Sequence, residues 1–302
     1  MKILKQLIYK WISSKFMDGC SNYNSLEVRR GCRSKKQARA QFAQGNIPHA
    51  QGTVFFNPFT AIKFARQHGF PLVVKPNVSG FSRGSHFPIT NYPQLWKAIA
   101  LAKLWWPTTV VEQYLQGKNY RVVVTKAGVI SVLQRYPAFI TGDGRHSIAR
   151  LIDKENNMRE AMGLYPCNKP ISQGKQTINY LAKQRLTLAS VPQNKQHVEL
   201  FYRISLAPGG VVETIQRHLI PAHNKQLFAQ VLTLFDAEIL GIDVIMEQGI
   251  EHDYREQKLI FLEVNSRPYL KMHSYPRYGQ ADDLSAELDL IAATANQHAD
   301  IF

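Results

Sequence analysis

Three oxygen-bearing side chains stand on two apolar segments of the C-terminal half of the sequence. Asp243 lies at the centre of the segment GIDVIME, and the apolar run Leu259–Leu262 leads into Glu263 and then Asn265. Because a strand alternates faces with a period of two, Glu263 and Asn265 point the same way. Carboxylate and amide oxygens suit Mg2+ held between a protein and nucleotide phosphates. Together these three residues predict a magnesium site. The Glu-x-Asn pattern taken by itself has an alternative interpretation, in which Glu263 and Asn265 are solvated polar residues at the end of a strand.

A lysine and a glycine-rich segment could supply the phosphate contacts that such a site needs. Lys75 ends the apolar run in FPLVVKPN, where a buried ammonium group needs a charged partner such as a phosphate. The segment NVSGFSRGS follows, and its residues Gly80, Ser82 and Gly84 permit close approach of the backbone to phosphate. The Gly-Lys-Ser/Thr ending of a Walker loop is absent, so this is a different kind of phosphate loop.

The segment LEVNSRPYLKMH resembles the closing motif of ATP-grasp ligases, in which an acidic residue and x-Asn precede a proline-containing turn. The likeness extends roughly from Arg33 to Pro276 and is strongest to the ATP-grasp module of cyanophycin synthetase and of bifunctional glutathione synthetase. It implies an α+β ATP-grasp fold, in which a mobile lid clasps ATP against a larger catalytic lobe. It also implies ATP-dependent carboxylate–amine ligation of an amino acid or peptide through an acyl phosphate, releasing ADP and phosphate. A small-molecule kinase and a non-catalytic nucleotide-binding module are the alternatives.

The resemblance also assigns the contacts to the nucleotide and its metal. It places Lys35 with Lys75 at the ATP phosphates, and Mg2+, with Mn2+ as a substitute, at Asp243, Glu263 and Asn265. An adenine hinge and a ribose contact complete the nucleotide site, and they are formed by Glu112, Gln113, Tyr114, Leu115 and Asn119. At Asn119 the family usually has an acidic residue, which an amide oxygen replaces here.

Several arginines and a histidine are expected at the substrates. Arg121 and Arg135 match arginines of the family that bind carboxylate or phosphate, and a structural ion pair is the alternative for either. Arg203 and Arg267 are expected to stabilise the charge of a tetrahedral intermediate. His273 is expected beside the γ-phosphate. We expect these cations to repel one another unless a substrate carboxylate lies between them.

The sequence divides into three parts. Residues 1–30 form a basic amphipathic segment, residues 31–280 the ATP-grasp domain, and residues 281–302 a C-terminal helix. Within the domain, the lid spans roughly residues 70–112, and a polar, irregular insertion spans roughly residues 156–196. In residues 1–16 the apolar side chains fall on one helical face that either docks on the domain or a partner, or makes peripheral contact with a membrane.

Composition limits the class of protein and its partners. The 302 residues are 45% hydrophobic, enough for a large core, and the net charge of +15 favours anionic partners. No RNA-binding motif is present, so we expect no nucleic acid as partner but small-molecule amino acid or peptide substrates. Three cysteines without metal-ligand spacing favour a cytoplasmic location, and an oligomer remains compatible with the sequence.

Overall fold

Strands in the described part of the chain form three sheets whose pairings are antiparallel. The computed structural model describes residues 4, 7–8, 11, 23–33, 35–77, 84–165 and 167–294. A four-stranded sheet has the order β1-β4-β2-β3, a five-stranded sheet the order β11-β10-β5-β6-β9, and β7 pairs with β8. The strands are β1 Gly52–Phe55, β2 Leu72–Pro76, β3 His86–Ile89, β4 Thr109–Gln113, β5 Lys118–Thr125, β6 Gly128–Tyr136, β7 Phe139–Thr141, β8 His197–Glu199, β9 Val211–Thr214, β10 Ile239–Met246 and β11 Leu259–Asn265.

Helices cover both larger sheets. They are α1 Leu26–Arg33, α2 Lys35–Gln44, α3 Pro58–His68, α4 Tyr92–Lys103, α5 Ile148–Ala161, α6 Lys175–Lys183, α7 Ala222–Leu234 and α8 Ser285–Thr294. Local sequence fixes where several begin. Asn57 caps α3 by accepting a hydrogen bond from the Phe59 backbone N–H (3.0 Å), and Asn91 caps α4 through the Gln94 N–H (2.9 Å).

The four-stranded sheet and helices α3 and α4 form the lid. The alternation of β2 turns Leu72 and Val74 toward the two helices, where they join a core with Leu95. Val73 and Lys75 consequently point from the opposite face of the sheet. Because β1 belongs to this sheet, the lid begins at Gly52 rather than near residue 70.

The five-stranded sheet is the centre of the catalytic lobe. On one face Val122, Leu240 and Ile242 pack in a core with residues of α2 and α7. In β5 and β10 the odd-numbered residues point from the other face, where Val123 and Ile239 pack with α8. The pairing of β10 with β11 shifts register after Asp243, so in β11 it is Glu263 and Asn265 that point the same way, whereas Phe261 packs in the first core. The sites predicted at Asp243, Glu263 and Asn265 therefore share a face with one another.

The segment expected to be a polar, irregular insertion is instead ordered, so that expectation was wrong for its helices. Helices α5 and α6 enclose a core that includes Ile152 and Leu181. Arg159 is fully buried and donates hydrogen bonds to Glu155 (2.9 Å) and to the Gly209 carbonyl oxygen (2.8 Å). A buried guanidinium needs such partners, and these join α5 to the loop before β9.

The two ends of the chain are described in part. Helix α8 lies within the predicted C-terminal helix, and residues 295–302 lie outside the described residues. Of residues 1–16, the structure describes Leu4, Leu7, Ile8 and Trp11, which are helical and at least half exposed. Among the described residues, no helix combines the length and the apolar character that crossing a membrane requires.

Candidate active site

A cleft between the lid and the catalytic lobe contains a small cavity. Residues of α2, of the lid strands and of β11 line it together, namely Arg39, Ala50, Lys75, Glu112, Phe261 and Leu262. The segment between α2 and β1 is joined to β11 nearby, where the Phe261 backbone N–H donates to the Pro48 carbonyl oxygen (2.8 Å). The structure therefore places Lys75 and Glu112, which the sequence assigned to one nucleotide, in one cleft.

Glu112 pairs with two cations in this cleft. The Lys75 ammonium contacts one carboxylate oxygen, and the Arg39 guanidinium lies 3.5 Å from the other. Gly52 makes this approach feasible, because a Cβ atom there would lie 2.7 Å from both Arg39 Nη1 and Glu112 Cβ. Arg39 was not among the residues predicted from the sequence, although it lies four residues after Lys35 and thus on the same helical face. The side chain of Lys35 lies outside the described residues.

A second cluster is buried on the five-stranded sheet. The strand register aligns Asp243 of β10 with Arg121 of β5 and with Glu263 of β11. Arg121 donates to both Asp243 oxygens, the Nη2–Oδ2 distance being 3.1 Å, and Arg135 Nη2 lies 3.0 Å from Oδ2. Arg135 also donates to the Asn119 side-chain oxygen at 2.7 Å. This is the structural ion pair that sequence analysis retained as the alternative for these arginines.

Asp243 is the counterion of this cluster. Its burial would raise its pKa, but the two guanidinium groups hold that pKa below its usual range. Burial lowers the pKa of Arg135, and Arg121 lowers it further, whereas Asp243 opposes both effects. The protein itself thus supplies an anion between the two arginines, which removes the charge argument for expecting a substrate carboxylate there.

Of the three predicted metal ligands, Glu263 and Asn265 have side-chain oxygens with fewer contacts to cations than those of Asp243. They lie two residues apart on β11, and Asn265 Nδ2 is 3.5 Å from Glu263 Oε1. Mg2+ commonly takes one or two carboxylates and completes its shell with phosphates and water, so this pair fits it. The Asp243 oxygens already accept three guanidinium contacts. In the described part of the chain, no three His, Cys, Asp or Glu side chains form a set that could hold a metal ion.

The predicted adenine hinge spans the end of β4 and the two residues after it. Its backbone is tied to the lid, because the Gln113 N–H donates to the Gln51 carbonyl (2.9 Å) and the Tyr114 N–H to the Pro71 carbonyl (3.1 Å). The Tyr114 ring is stacked with Phe87 of β3 at 6.1 Å, and Leu115 is half-buried. Burial raises the pKa of Tyr114, and Glu199 raises it further.

His273 lies beneath the arginine cluster and is fully buried. Its Nδ1 is 2.5 Å from Ser131 Oγ, and that hydroxyl donates to the Asp282 carboxylate. Burial, Arg121 and Arg135 lower the pKa of His273 to about 3, so the ring is neutral near pH 7. No described residue is a hydrogen-bond partner of its buried Nε2. Ser131 and Asp282 were not among the residues predicted from the sequence.

The remaining predicted residues lie around the cleft or outside the described residues. Arg203 lies in the loop before β9, with its guanidinium carbon 4.9 Å from the centroid of Phe201, and its buried Nε has no hydrogen-bond partner in the part of the chain that the structure describes. Arg267 is half-buried, two residues after Asn265. Gly84 has a φ of 71°, which favours glycine, whereas Gly80 and Ser82 lie outside the described residues.

Curated relatives match most of this chain, although no family model matches it. Cyanophycin synthetase of Crocosphaera subtropica is 27% identical over 291 residues, covering 94% of this chain and 33% of its own length. The enzyme of that name from Synechocystis sp. is 30% identical over 227 residues, covering 74% and 26%. The glutathione biosynthesis bifunctional protein of Streptococcus agalactiae is 29% identical over 247 residues, covering 78% and 32%. The chain spans about a third or less of the length of these relatives.

Solved structures share the fold. The bifunctional glutathione synthetase of Pasteurella multocida superposes with a TM-score of 0.66 at 22% identity, covering 91% of this chain and 38% of that one. The D-alanine–D-alanine ligase of Bacillus anthracis gives a TM-score of 0.51 at 14% identity, covering 92% and 68%. The chain therefore has the ATP-grasp fold and is similar in sequence to ligases of that fold.

Proposed function

We propose that this protein uses ATP to join a carboxylate to an amine. The observation that supports this most is the distribution of charge around the cleft. Lys75 and Arg39 bring cations from the lid and α2, and Glu263 and Asn265 bring oxygen donors from β11. The phosphates of a nucleotide bind cations, and the metal ion bound to them needs oxygen ligands. The two cations and the two oxygen donors therefore suit opposite sides of one nucleotide.

In this proposal the two walls of the cleft divide the work. Lys75, Arg39 and Lys35 neutralise the phosphates, helped by backbone groups at Gly80, Ser82 and Gly84. Adenine and ribose lie at the hinge formed by Glu112, Gln113, Tyr114, Leu115 and Asn119. Glu263 and Asn265 would hold Mg2+, and Asp243 would join them by sharing an oxygen with its arginines. The bound ion supplies charge neutralisation at the oxygens of the transferred phosphoryl group.

The proposed reaction needs no covalent nucleophile from the protein. A substrate carboxylate oxygen bonds to the γ-phosphorus while the bond to the ADP oxygen breaks, which gives an acyl phosphate and ADP. The nitrogen of the acceptor amine then bonds to the acyl carbon, loses a proton, and phosphate leaves. Arg203 and Arg267 are proposed to stabilise the negative charge that develops on the acyl oxygen. Positioning and electrostatics supply the catalysis.

The substrates proposed are amino acids or peptides. This rests on the names of the relatives, which make cyanophycin or take part in glutathione biosynthesis. Arg203 is the arginine that we propose to donate to a substrate carboxylate, since its Nε has no hydrogen-bond partner among the described residues. Arg121 and Arg135 act in this proposal through Asp243, and His273 lies near them, held by Ser131.

The test measures both products of ATP consumption. Purified protein with ATP, Mg2+ and a panel of amino acids and dipeptides should release ADP and phosphate in equal amounts, with a peptide-bonded product. Lys75→Ala and Glu263→Gln should lower this rate at least 100-fold, because each removes a charge from the site where phosphoryl transfer develops charge. Lys175→Ala, an exposed lysine of α6, is the control and should keep the wild-type rate.

The same assay identifies the alternatives. ADP formation without free phosphate, together with a phosphorylated acceptor, would establish a kinase and refute ligation. ATP binding without ADP formation for every acceptor would establish a nucleotide-binding module. Wild-type turnover by Lys75→Ala or Glu263→Gln would show that the site lies elsewhere.

A further inference from the structure

An exposed apolar patch lies on helices α3 and α4 of the lid and on residues next to them, and its helical part is on the side of the sheet away from Lys75. Phe59 of α3 and Trp96 of α4 meet edge to face at 5.9 Å, and both are exposed. The Lys103 ammonium lies 4.7 Å from the centroid of the exposed ring of Phe56, and Leu104, next along the chain, is 82% exposed. We call these residues, with Trp105 and Trp106, the outer lid face. Soluble monomers rarely expose so many large apolar side chains together, so this face suits a partner.

The tryptophans of the chain are concentrated here. Its four tryptophans are Trp11, Trp96, Trp105 and Trp106, and each is between 43% and 58% exposed. Tryptophan is usually well buried in proteins, and its ring is enriched where an apolar phase meets water. Three of the four therefore lie on the outer lid face, and the fourth lies on the apolar face of the N-terminal segment.

Positive charge is concentrated in the same part of the chain. Residues 28–111 contain twelve Lys and Arg residues and neither Asp nor Glu. Residues 1–111 hold sixteen of the 37 basic residues and two of the 22 acidic ones, which gives +14 of the total of +15. Lys63, Arg66 and Lys97 are exposed on α3 and α4. The one acidic residue of the lid, Glu112, is turned into the cleft toward Lys75.

We propose that the outer lid face docks on an anionic lipid surface. Its aromatic and leucine side chains enter the boundary between headgroups and acyl chains, while the lysines and the arginine meet lipid phosphates. A second copy of this face is a poor partner, because two faces of like charge repel one another. Single-stranded nucleic acid binds through aromatic platforms, on which an aliphatic side chain such as Leu104 has no role.

Docking of this kind leaves the cleft accessible. The lid sheet separates α3 and α4 from Lys75 and Glu112, because alternate residues of β2 point to opposite faces. Trp105 also touches the phosphate loop, since a Cβ atom on Gly84 would lie 2.7 Å from its ring. The face that meets lipid would thus adjoin the glycine-rich segment without covering the nucleotide site.

The experiment uses the tryptophans as reporters. In the full chain carrying Trp11→Phe, all tryptophan emission comes from the outer lid face. Titration with vesicles of phosphatidylglycerol and phosphatidylcholine should shift this emission to shorter wavelength, and brominated acyl chains should quench it. Phosphatidylcholine alone should produce neither effect, and salt should weaken binding steeply. Binding that is equal for both vesicle types, or absent from both, would overturn the proposal.

Substitutions on this face separate insertion from charge. Phe59→Ser and Leu104→Ser keep every reporter and should each weaken vesicle binding about tenfold or more, because they remove apolar area from the contact. Leu219→Ser, at an exposed leucine of the catalytic lobe, is the matched control and should bind normally.

The charge variant is Lys63→Gln with Lys97→Gln, which should weaken binding about 25-fold, since each lysine near such a surface contributes about fivefold. Lys175→Gln is its control and should bind as the parent chain does. Unchanged vesicle binding in the face variants would refute the assignment. A response to single-stranded oligonucleotide in place of vesicles would identify a nucleic-acid surface. Lipid-free self-association that Leu104→Ser abolishes would identify a dimer face, and either result would overturn the proposal.

Discussion

Removing the charge of Asp243 should destabilise the protein strongly. The side chain is 6% exposed and is the carboxylate that both Arg121 and Arg135 contact. Asp243→Asn preserves shape but leaves two buried guanidinium groups facing each other without a full counterion. Breaking a buried ion pair by removing one partner costs about 3–5 kcal/mol. Against a total stability of about 5–15 kcal/mol for a typical domain, this is a large loss.

Urea unfolding of the unliganded protein measures this cost. The matched control is Glu238→Gln, which breaks the exposed pair with Lys126 and should change the unfolding free energy by less than about 1 kcal/mol. Folding holds the pKa of Asp243 below its unfolded value, so its stabilisation is present above the unfolded pKa and is lost as pH falls through the folded one. Asp243→Asn should remove that acid dependence. If it unfolds within 1 kcal/mol of wild type, Asp243 is not the counterion.

Three further outcomes follow from the same structure. Arg39→Ala should weaken ATP binding about tenfold or more by calorimetry, because it removes a charged donor from the cleft, whereas Arg66→Ala on the outer lid should not. Folding lowers the pKa of His273 to about 3, so between about pH 6 and 4 the unfolded chain binds a proton that the folded chain does not. The unfolding free energy should therefore fall by about 1.4 kcal/mol for each unit that the pH is lowered in this range. His273→Gln should flatten that slope in urea titrations. Deleting residues 1–16 should leave a soluble protein, because the four apolar side chains described there are exposed, and insolubility would favour a helix docked on the domain.

The sequence predicted the fold where local pattern determines structure. The apolar runs before Lys75 and Glu263 became β2 and β11, and the alternation of residues placed Glu263 and Asn265 on one face of the sheet. These signals need no knowledge of distant contacts, because side-chain period and strand propensity act over a few residues. The α+β fold with a lid is confirmed on this basis.

The insertion was misjudged because its core is assembled from distant positions. Ile152, Ile171, Leu181 and Leu200 pack together although long polar stretches separate them in sequence. No short stretch of the sequence contains enough of these apolar residues to show a helical or strand period. The polar composition of the segment therefore predicted an irregular structure. The partners of Arg159 were equally hidden, because two of them are backbone carbonyl groups, at Lys169 and Gly209.

The partner of each arginine depends on strand register, which a single sequence does not reveal. Arg121 and Asp243 are 122 residues apart and meet only because β5 pairs with β10 at that register. The converging arginines alone suggested a substrate anion between them, whereas in the structure Asp243 is that anion. A substrate carboxylate therefore needs a different guanidinium, one with a donor that no described residue uses. Among the described residues, the buried Nε of Arg203 has no hydrogen-bond partner, so we propose this arginine for the substrate carboxylate; its guanidinium lies beside the rings of Phe201 and Tyr202.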